Sequence, residues 1–299
     1  MRRLLSLSAV ILLIATFLAA CGSDPTPDEP SAPEPPVVEE PDPSEEPAEE
    51  PAEPDEPSAE PADDLEPVEI FHVRTSIDGL WVEPEVLEVE PGDDLAVTAM
   101  QHLFGTAPVD PELSTAAPAV TVLGVERDGS VLVVDVDAAM HDTSGASMQE
   151  VAFAHQFAHT AAALGDVTGA RLTIEGEPID DLWGHLDWSV PIEPDPFALS
   201  PITIVEPTHA DEVAAGAVEV HGEATIFEAS FWLRLLDVDG AIVEEVTVMA
   251  STGAPERGTW SHTFEITDPG QYTIEAEEPD MSDGEGRAML VTTRTITVG

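Results

Sequence analysis

The sequence contains no lysine, and its nine basic residues are all arginines. Against them stand 61 acidic residues, which give a formal net charge of −52. Because proteins bind phosphate backbones through basic side chains, this balance argues strongly against nucleic acid as a partner. Binding to an anionic lipid surface by charge alone is disfavoured for the same reason.

Cysteine is also scarce, since Cys21 is the only one, and no intramolecular disulfide can form. The nucleophile motif Gly-x-Ser-x-Gly is absent, and without lysine no Walker-type phosphate loop can form. We therefore expect a protein that is not an enzyme and needs no cofactor. A wall-directed hydrolase is the least favoured reading.

The N-terminus has the features of a secretory signal. Arg2 and Arg3 precede an apolar run over residues 4–18, and the segment Leu18-Ala19-Ala20-Cys21 resembles a bacterial lipobox. We expect residues 1–20 to be a lipoprotein signal peptide and Cys21 to carry the lipid. The protein would then be held by acyl chains on the extracytoplasmic face of the cell membrane. The alternative is an ordinary cleaved signal with an incidental cysteine.

Residues 21–67 form a proline-rich acidic segment. Positions 22–67 hold 14 of the 28 prolines and 18 acidic residues, with almost nothing apolar. Such a composition cannot bury enough apolar surface to offset chain entropy, which predicts a disordered stalk. Proline and charge repulsion favour an extended chain, so the contour of the stalk reaches on the order of 140 Å.

Residues 68–193 mix helical and strand patterns, which predicts an α+β domain with a mixed sheet and two helices. Ser147 and Glu150 fit a capping box that opens the second helix. In that helix Phe153, Phe157 and Ala161 recur at helical spacing and predict one buried face.

Residues 199–299 lose the helical period and predict an all-β, immunoglobulin-like sandwich. Tyr272, the only tyrosine, follows Gly270 at the start of a late strand and resembles a tyrosine corner. Seven short strands are expected, at 202–205, 217–224, 230–236, 241–249, 259–266, 271–276 and 288–298.

The first of these regions resembles the GerMN (sporulation and spore germination) domain, and the second resembles the immunoglobulin-like domain of bacterial spore germination. In the first region the likeness lies in the helix before Gly105, Ala117-Pro118, Val134-Asp135-Val136, the helix around Gln156 to Thr160, and Val167 to Gly176. In the second it lies in Ile204-Val205-Glu206-Pro207, Val220-His221-Gly222-Glu223-Ala224, Phe227-Glu228-Ala229, Asp239-Gly240 and Gly258-Thr259-Trp260. One departure is Gly105-Thr106-Ala107-Pro108, where the first family has a Gly-Pro pair.

The resemblance implies an envelope protein that acts by binding or scaffolding, in sporulation, germination or assembly of the cell envelope. Neither family supplies an established catalytic residue, so none is carried over. The expected partners are the membrane through the lipid anchor, an envelope protein or cell-wall component, and other copies of the chain in self-assembly.

His155 and His159 support a second hypothesis, in which the protein belongs to another functional class: an extracytoplasmic protein that binds a metal or small ligand. Their i, i+4 spacing can chelate a metal ion from one helix face. Relative to Phe153 they lie about 200° and 240° around the helix, facing away from the aromatic face. We therefore favour an exposed or subunit-facing pair of histidines over a metal site.

Two acidic pairs and four tryptophans complete the candidates. Asp135 and Asp137 are expected on the same face of a strand, and Asp180-Asp181 in a loop; we favour a solvated structural role for both pairs. Trp232 and Trp260 fall in strands and are expected in the core. Trp183 and Trp188 are expected to seal the domain junction, with an aromatic binding surface as the alternative.

Overall fold

The computed structural model describes residues 65–76, 79–90, 94–278 and 290–299, all of which belong to one compact unit, Ala59–Gly299. The predicted signal peptide, Cys21 and the stalk up to residue 64 lie outside the described residues. Within the described ranges, no helix is long and apolar enough to cross a membrane.

The α+β domain is built on two helices and two sheets. Its first strand begins at Glu66, two residues before the expected boundary at residue 68. The elements are β1 (Glu66–Ser76), β2 (Gly79–Val89), α1 (Leu95–Gly105), β3 (Leu113–Ser114), β4 (Val122–Asp128), β5 (Val131–Val136), α2 (Ser147–Ala162), β6 (Gly169–Ile174) and β7 (Glu177–Pro178).

Strands β1 and β2 form a long antiparallel hairpin, and β3 extends that sheet to the order β2-β1-β3. The second sheet has the order β4-β5-β6-β7 and is mixed, because α2 crosses between the parallel strands β5 and β6. Gly129, with a φ of 64°, makes the tight turn between β4 and β5. The predicted α+β class is confirmed, with the β1–β2 hairpin as a separate sheet.

Helix α2 buries the face that the sequence predicted. Phe153, Phe157 and Ala161 are fully buried in a core that also receives Phe104 from α1. The Phe104 ring meets Phe153 edge-on at 5.7 Å between centroids. Truncating either phenylalanine of α2 to alanine is expected to cost about 3–5 kcal/mol.

Two polar side chains of α2 complete the hydrogen bonding of β1 on the edge that faces away from β2. Thr160 Oγ1 accepts from the amide of Phe71 at 3.0 Å, and Gln156 Nε2 donates to the carbonyl of Phe71 at 2.9 Å. Gln156 Oε1 also accepts from the amide of Ala116. Both side chains are fully buried, so these bonds hold the hairpin against the helix.

The remaining eight strands of the described residues form the all-β sandwich. These are β8 (Ile202–Glu206), β9 (Glu212–Val213), β10 (Gly216–Ala224), β11 (Ser230–Asp237), β12 (Ile242–Met249), β13 (Gly258–Ile266), β14 (Gly270–Glu277) and β15 (Val291–Val298). Each of the seven predicted strands is confirmed. The additional short strand β9 pairs in parallel with β15.

One sheet of the sandwich has the order β13-β10-β8, and the other has the order β12-β11-β14-β15-β9. Their inner faces bury alternate residues, such as Leu233 and Leu235 of β11. Gly222 lets β8 and β10 approach closely, because a Cβ there would lie 2.0 Å from the Thr203 carbonyl oxygen. Tyr272 donates from its hydroxyl to the Asp268 carbonyl at 3.0 Å, as expected of a tyrosine corner.

Candidate functional site

A cleft lies where the β1–β2 hairpin meets the sheet β13-β10-β8. Its volume is about 690 Å³, within the usual range of small-molecule sites, and domain junctions are a common place for such sites. Both domains line it, with Glu69, Phe71 and Pro84 from the hairpin. The sandwich side and the segment leading into it supply Leu199, Thr203, Val205, His221, Gly222, Glu223, Met249, Ser251, Arg257, Thr259, Trp260 and Ser261.

Arg257 is the only arginine among the lining residues, and its guanidinium is held by protein acceptors. Nε donates to Glu223 at 2.7 Å, and Nη2 donates to Thr203 Oγ1 at 3.0 Å. Nη1 donates to the carbonyl of Ser200 at 2.9 Å. Arg257 thus ties the start of β13 to β8 and to the segment between the domains.

Glu69 faces the same cleft from β1. Partial burial raises the pKa of its carboxyl, the nearby charge of Glu223 raises it further, and Arg257 acts in the opposite direction. His221, which also lines the cleft, has its Nε2 3.1 Å from Glu206 Oε2 at the surface. The cleft therefore places two carboxylates beside an arginine that is already engaged.

Four buried charges also join the two domains. Arg74 of β1 and Glu83 of β2 meet Asp110, from the loop after α1, and Arg294 of β15, and each is at most 4% exposed. Arg74 Nε donates to Glu83 at 2.5 Å, and Arg294 Nη1 donates to Asp110 at 2.8 Å. Longer contacts of 3.4 Å from Arg294 to Glu83 and 3.6 Å from Arg74 to Asp110 close the ring.

We call these four residues the interdomain ion network. Every carboxylate in it lies between two guanidinium groups, an arrangement that compensates charge removed from water. Glu85 positions the Asp110 loop, because its carboxylate accepts from the amides of Asp110 at 2.7 Å and Val109 at 3.0 Å. Glu112 adds a partly exposed fifth charge, accepting from Arg74 at 2.7 Å.

His72 is buried on the same face of β1 as Arg74. Its Nε2 lies 3.4 Å from Glu85 Oε2, and neither ring nitrogen has a hydrogen-bond partner within the described residues. Burial, together with the charge of His102, lowers the pKa of His72 to about 4. His72 is therefore neutral at pH 7. A small cavity of about 140 Å³ lies nearby and is lined by Glu85, His102 and Arg294 among others.

The expectation that His155 and His159 are both exposed or subunit-facing is wrong for His159, which is buried. Its ring lies against Phe71, with 5.2 Å between centroids, and Nε2 is 2.9 Å from the Asp195 carbonyl oxygen. Desolvation lowers the pKa of both histidines. The segment that approaches the sandwich covers this face of α2, which a helical wheel alone could not show.

A chelating pair needs free nitrogen lone pairs directed at one ion. The Asp195 carbonyl is an acceptor, so Nε2 of His159 carries the proton in that hydrogen bond. The described residues contain no group of three or more His, Cys, Asp or Glu side chains that could hold a metal ion. The geometry does not favour the metal reading.

The capping box predicted at Ser147 and Glu150 is wrong. Ala146 occupies the N-cap position of α2 without a side-chain cap. Glu150 is instead fully buried and accepts from the Trp188 indole at 2.8 Å and the amide of His185 at 3.0 Å, with a longer contact to the amide of Trp183. Leaving these donors without an acceptor would cost more free energy than Glu150 would gain by capping the helix, so its carboxylate bonds to them instead.

The acidic pairs organise local structure. Asp135 Oδ1 accepts from Thr173 Oγ1 and the amide of Gly176, both at 2.7 Å. Asp137 lies beyond the end of β5 and caps a short 3₁₀ segment at Ala139, so the two carboxylates do not share a strand face. In the loop, Asp181 accepts from the amide of Gly184.

The four tryptophans do not form one surface. Trp188 is buried in the α+β core and stacks on Phe153 at 5.4 Å, and Trp183 packs on the same ring at 6.1 Å, so their assignment to the domain junction is wrong. Trp260 is in the sandwich core as expected. Trp232 is 40% exposed, with the Arg234 guanidinium 5.3 Å from its ring, so its assignment to the core is wrong.

Sequence reasoning missed the interdomain ion network and the cleft. A usable signal existed for Arg294, which interrupts the β-branched run from Val291 to Val298 in a chain with few cations. A charged residue inside such a run indicates either an exposed edge strand or a buried group of opposite charge that pairs with it. Nothing local identified Glu83 or Asp110 as the partners.

Comparison with known families agrees with this architecture. Residues 74–180 match the family model described as sporulation and spore germination, and residues 201–285 match the one described as the immunoglobulin-like domain of bacterial spore germination. The chain therefore carries a domain of each family, in that order, and the resemblance expected from the sequence is confirmed. Both families are non-enzymatic domains of sporulation and germination proteins.

Two solved structures from Bacillus subtilis are similar to part of this chain. The tandem GerMN domains of the sporulation protein GerM are 12% identical, with a TM-score of 0.36, and the match covers 44% of this chain and 45% of that one. The first GerMN domain of GerM is 15% identical, with a TM-score of 0.35, over 43% of this chain and 96% of that one. The chain thus spans less than half of the tandem structure. No curated protein matches it.

Proposed function

We propose that this chain is a lipid-anchored envelope protein on the extracytoplasmic face of the membrane, which acts by binding or scaffolding and not by catalysis. The matched families support a role in sporulation, germination or envelope assembly. The lipobox-like segment ending at Cys21 supports the anchor. The acidic stalk would hold the folded part away from the bilayer.

The observation that carries this proposal is the junction between the two domains. A buried ion network fastens them together, and both domains line a cleft of about 690 Å³. Two modules joined in this way present one fixed surface, which suits a scaffold that holds a partner at a set distance. The expected partners are envelope proteins, cell-wall components or further copies of the chain.

Anchoring is tested by labelling cells that express the full chain with a clickable palmitate analogue. We expect label on the wild type and none on Cys21→Ser, because Cys21 is the only thiol. Mass spectrometry of the mature protein should find the lipid at that residue. An unmodified or freely secreted wild-type product would contradict the anchor.

Scaffolding is tested by crosslinking intact envelopes and identifying the proteins captured with the full chain. Capture of a defined partner by the wild type, and its loss in a variant of the cleft such as Glu69→Arg, is the expected result. Turnover of a defined substrate by the purified protein would contradict the non-catalytic part.

A further inference from the structure

The hydrogen-bonding groups that line the cleft are unequally available to a ligand. All three guanidinium nitrogens of Arg257 donate to protein acceptors. His221 is paired with Glu206 through Nε2. Each nitrogen of the Arg257 guanidinium is therefore already engaged, which disfavours an anion as the ligand of the cleft.

Acceptors, by contrast, remain. The Glu223 carboxylate accepts a hydrogen bond from Arg257 at Oε2, so its Oε1 remains available to a ligand. Glu69 faces the cleft from the opposite domain. The rest of the wall is mixed, with hydroxyl side chains such as Ser251 and an apolar part that includes Phe71, Leu199 and Met249. A ligand that fits this lining donates hydrogen bonds at one end and is apolar along its length.

We propose that the cleft binds a primary ammonium group on an aliphatic stem, as in a lysine side chain, with Glu69 and Glu223 receiving the ammonium and Phe71, Leu199 and Met249 packing on the stem. The inference rests on the proposed binding role and names the chemistry of its ligand. The Glu69 and Glu223 charges exceed that of Arg257 by one, so a cation restores the local balance.

Two further observations fit this ligand. The carboxyl of Glu69 has a raised pKa because burial and the charge of Glu223 oppose its ionisation, and an ammonium would relieve both. The chain also has no lysine of its own, so no side chain of that type within the protein competes for the cleft. The same chemistry could come from a lysine of a partner protein or from a free diamino acid.

The test is a calorimetric titration of the full chain in detergent with Nα-acetyl-L-lysine methylamide. The matched probe is the norleucine analogue, which has the aliphatic stem without the ammonium. We expect the lysine probe to bind and the norleucine probe not to bind at millimolar concentrations. A lysine-containing peptide compared with the free probe then separates the two sources of the ligand.

Glu69→Gln should weaken binding of the lysine probe by at least about tenfold, because the ammonium loses a charged acceptor and keeps only a neutral one. Glu265→Gln is the matched control, since Glu265 is exposed on β13, the strand that supplies Thr259 and Ser261, but does not line the cleft. Glu223→Gln provides a second variant if Glu69→Gln does not fold.

Equal binding of the two probes, or equal weakening by Glu69→Gln and Glu265→Gln, would overturn the proposal, the second because it indicates general attraction to an acidic protein. Failure of the lysine probe to bind would do the same. None of these outcomes bears on lipid labelling at Cys21 or on capture of an envelope partner, so they leave the proposed function standing.

Discussion

Replacing Arg294 with leucine should reveal how strongly the interdomain ion network holds the domains together. Arg294 is 3% exposed and contacts both Asp110 and Glu83, so its removal leaves two buried carboxylates with Arg74 alone. Removing one partner of a buried ion pair costs about 3–5 kcal/mol. For a folded region of this size, that lowers the melting temperature by about 6–20 °C.

The assay is urea unfolding of the full chain followed by tryptophan fluorescence and, separately, by circular dichroism. Arg127→Leu is the control, because Arg127 is exposed and donates to the carbonyls of Leu164 and Gly165 at the surface. It should cost less than about 1 kcal/mol. Arg294→Leu should also separate the two transitions if the domains lose their coupling.

A loss for Arg294→Leu no larger than that for Arg127→Leu would refute the reasoning, since it would mean that water reaches the network. A double-mutant cycle with Asp110→Leu adds a second check. The double variant should lose less than the sum of the single variants, because each single variant strands a charge that the double variant removes.

Three further predictions concern single residues. Glu150→Ala should lower the free energy of unfolding in urea by at least about 3 kcal/mol, because the indole of Trp188 and the amide of His185 lose their acceptor. The control Glu126→Ala, at an exposed position, should change it little, and similar losses for the two variants would contradict the role of Glu150. His72 has a pKa of about 4 in the folded protein against an ordinary value of 6.5, so the unfolded chain takes up the proton first as the pH falls. The free energy of unfolding should therefore decrease below about pH 6.5, by up to about 3 kcal/mol near pH 4. His72→Leu should remove that part of the pH dependence, and an unchanged profile would contradict the prediction. In a zinc titration, His155→Ala should match the wild type because Nε2 of His159 is engaged by Asp195, and a weakened affinity would restore the metal reading.

The strands of the sandwich were predictable because each carries its own alternation. Leu233 and Leu235 point inward and their neighbours outward, a pattern that depends only on the period of a strand. The same alternation places Trp232 on the outer face with Arg234, so the expectation that Trp232 lies in the core followed its residue type and not the strand period.

The sequence-based prediction failed where distant groups compete for one side chain. Glu150 fits a local cap, yet donors more than thirty residues away take its carboxylate. Arg294 and Glu83 meet across 211 positions of the chain, a separation at which no spacing rule applies. His159 was misplaced for the same reason, since the segment around Asp195 covers it only in the folded molecule.

The pairing of Arg294 with Glu83 and Asp110 constrains how this protein can be recombined. A chimera that grafts its sandwich behind another α+β domain would bury a guanidinium opposite whatever residues the new host offers. Unless the host supplies two carboxylates at matching places, the hybrid would carry a stranded cation at its seam. Exchange of these modules by engineering must therefore transfer the hairpin residues, the Asp110 loop and β15 together.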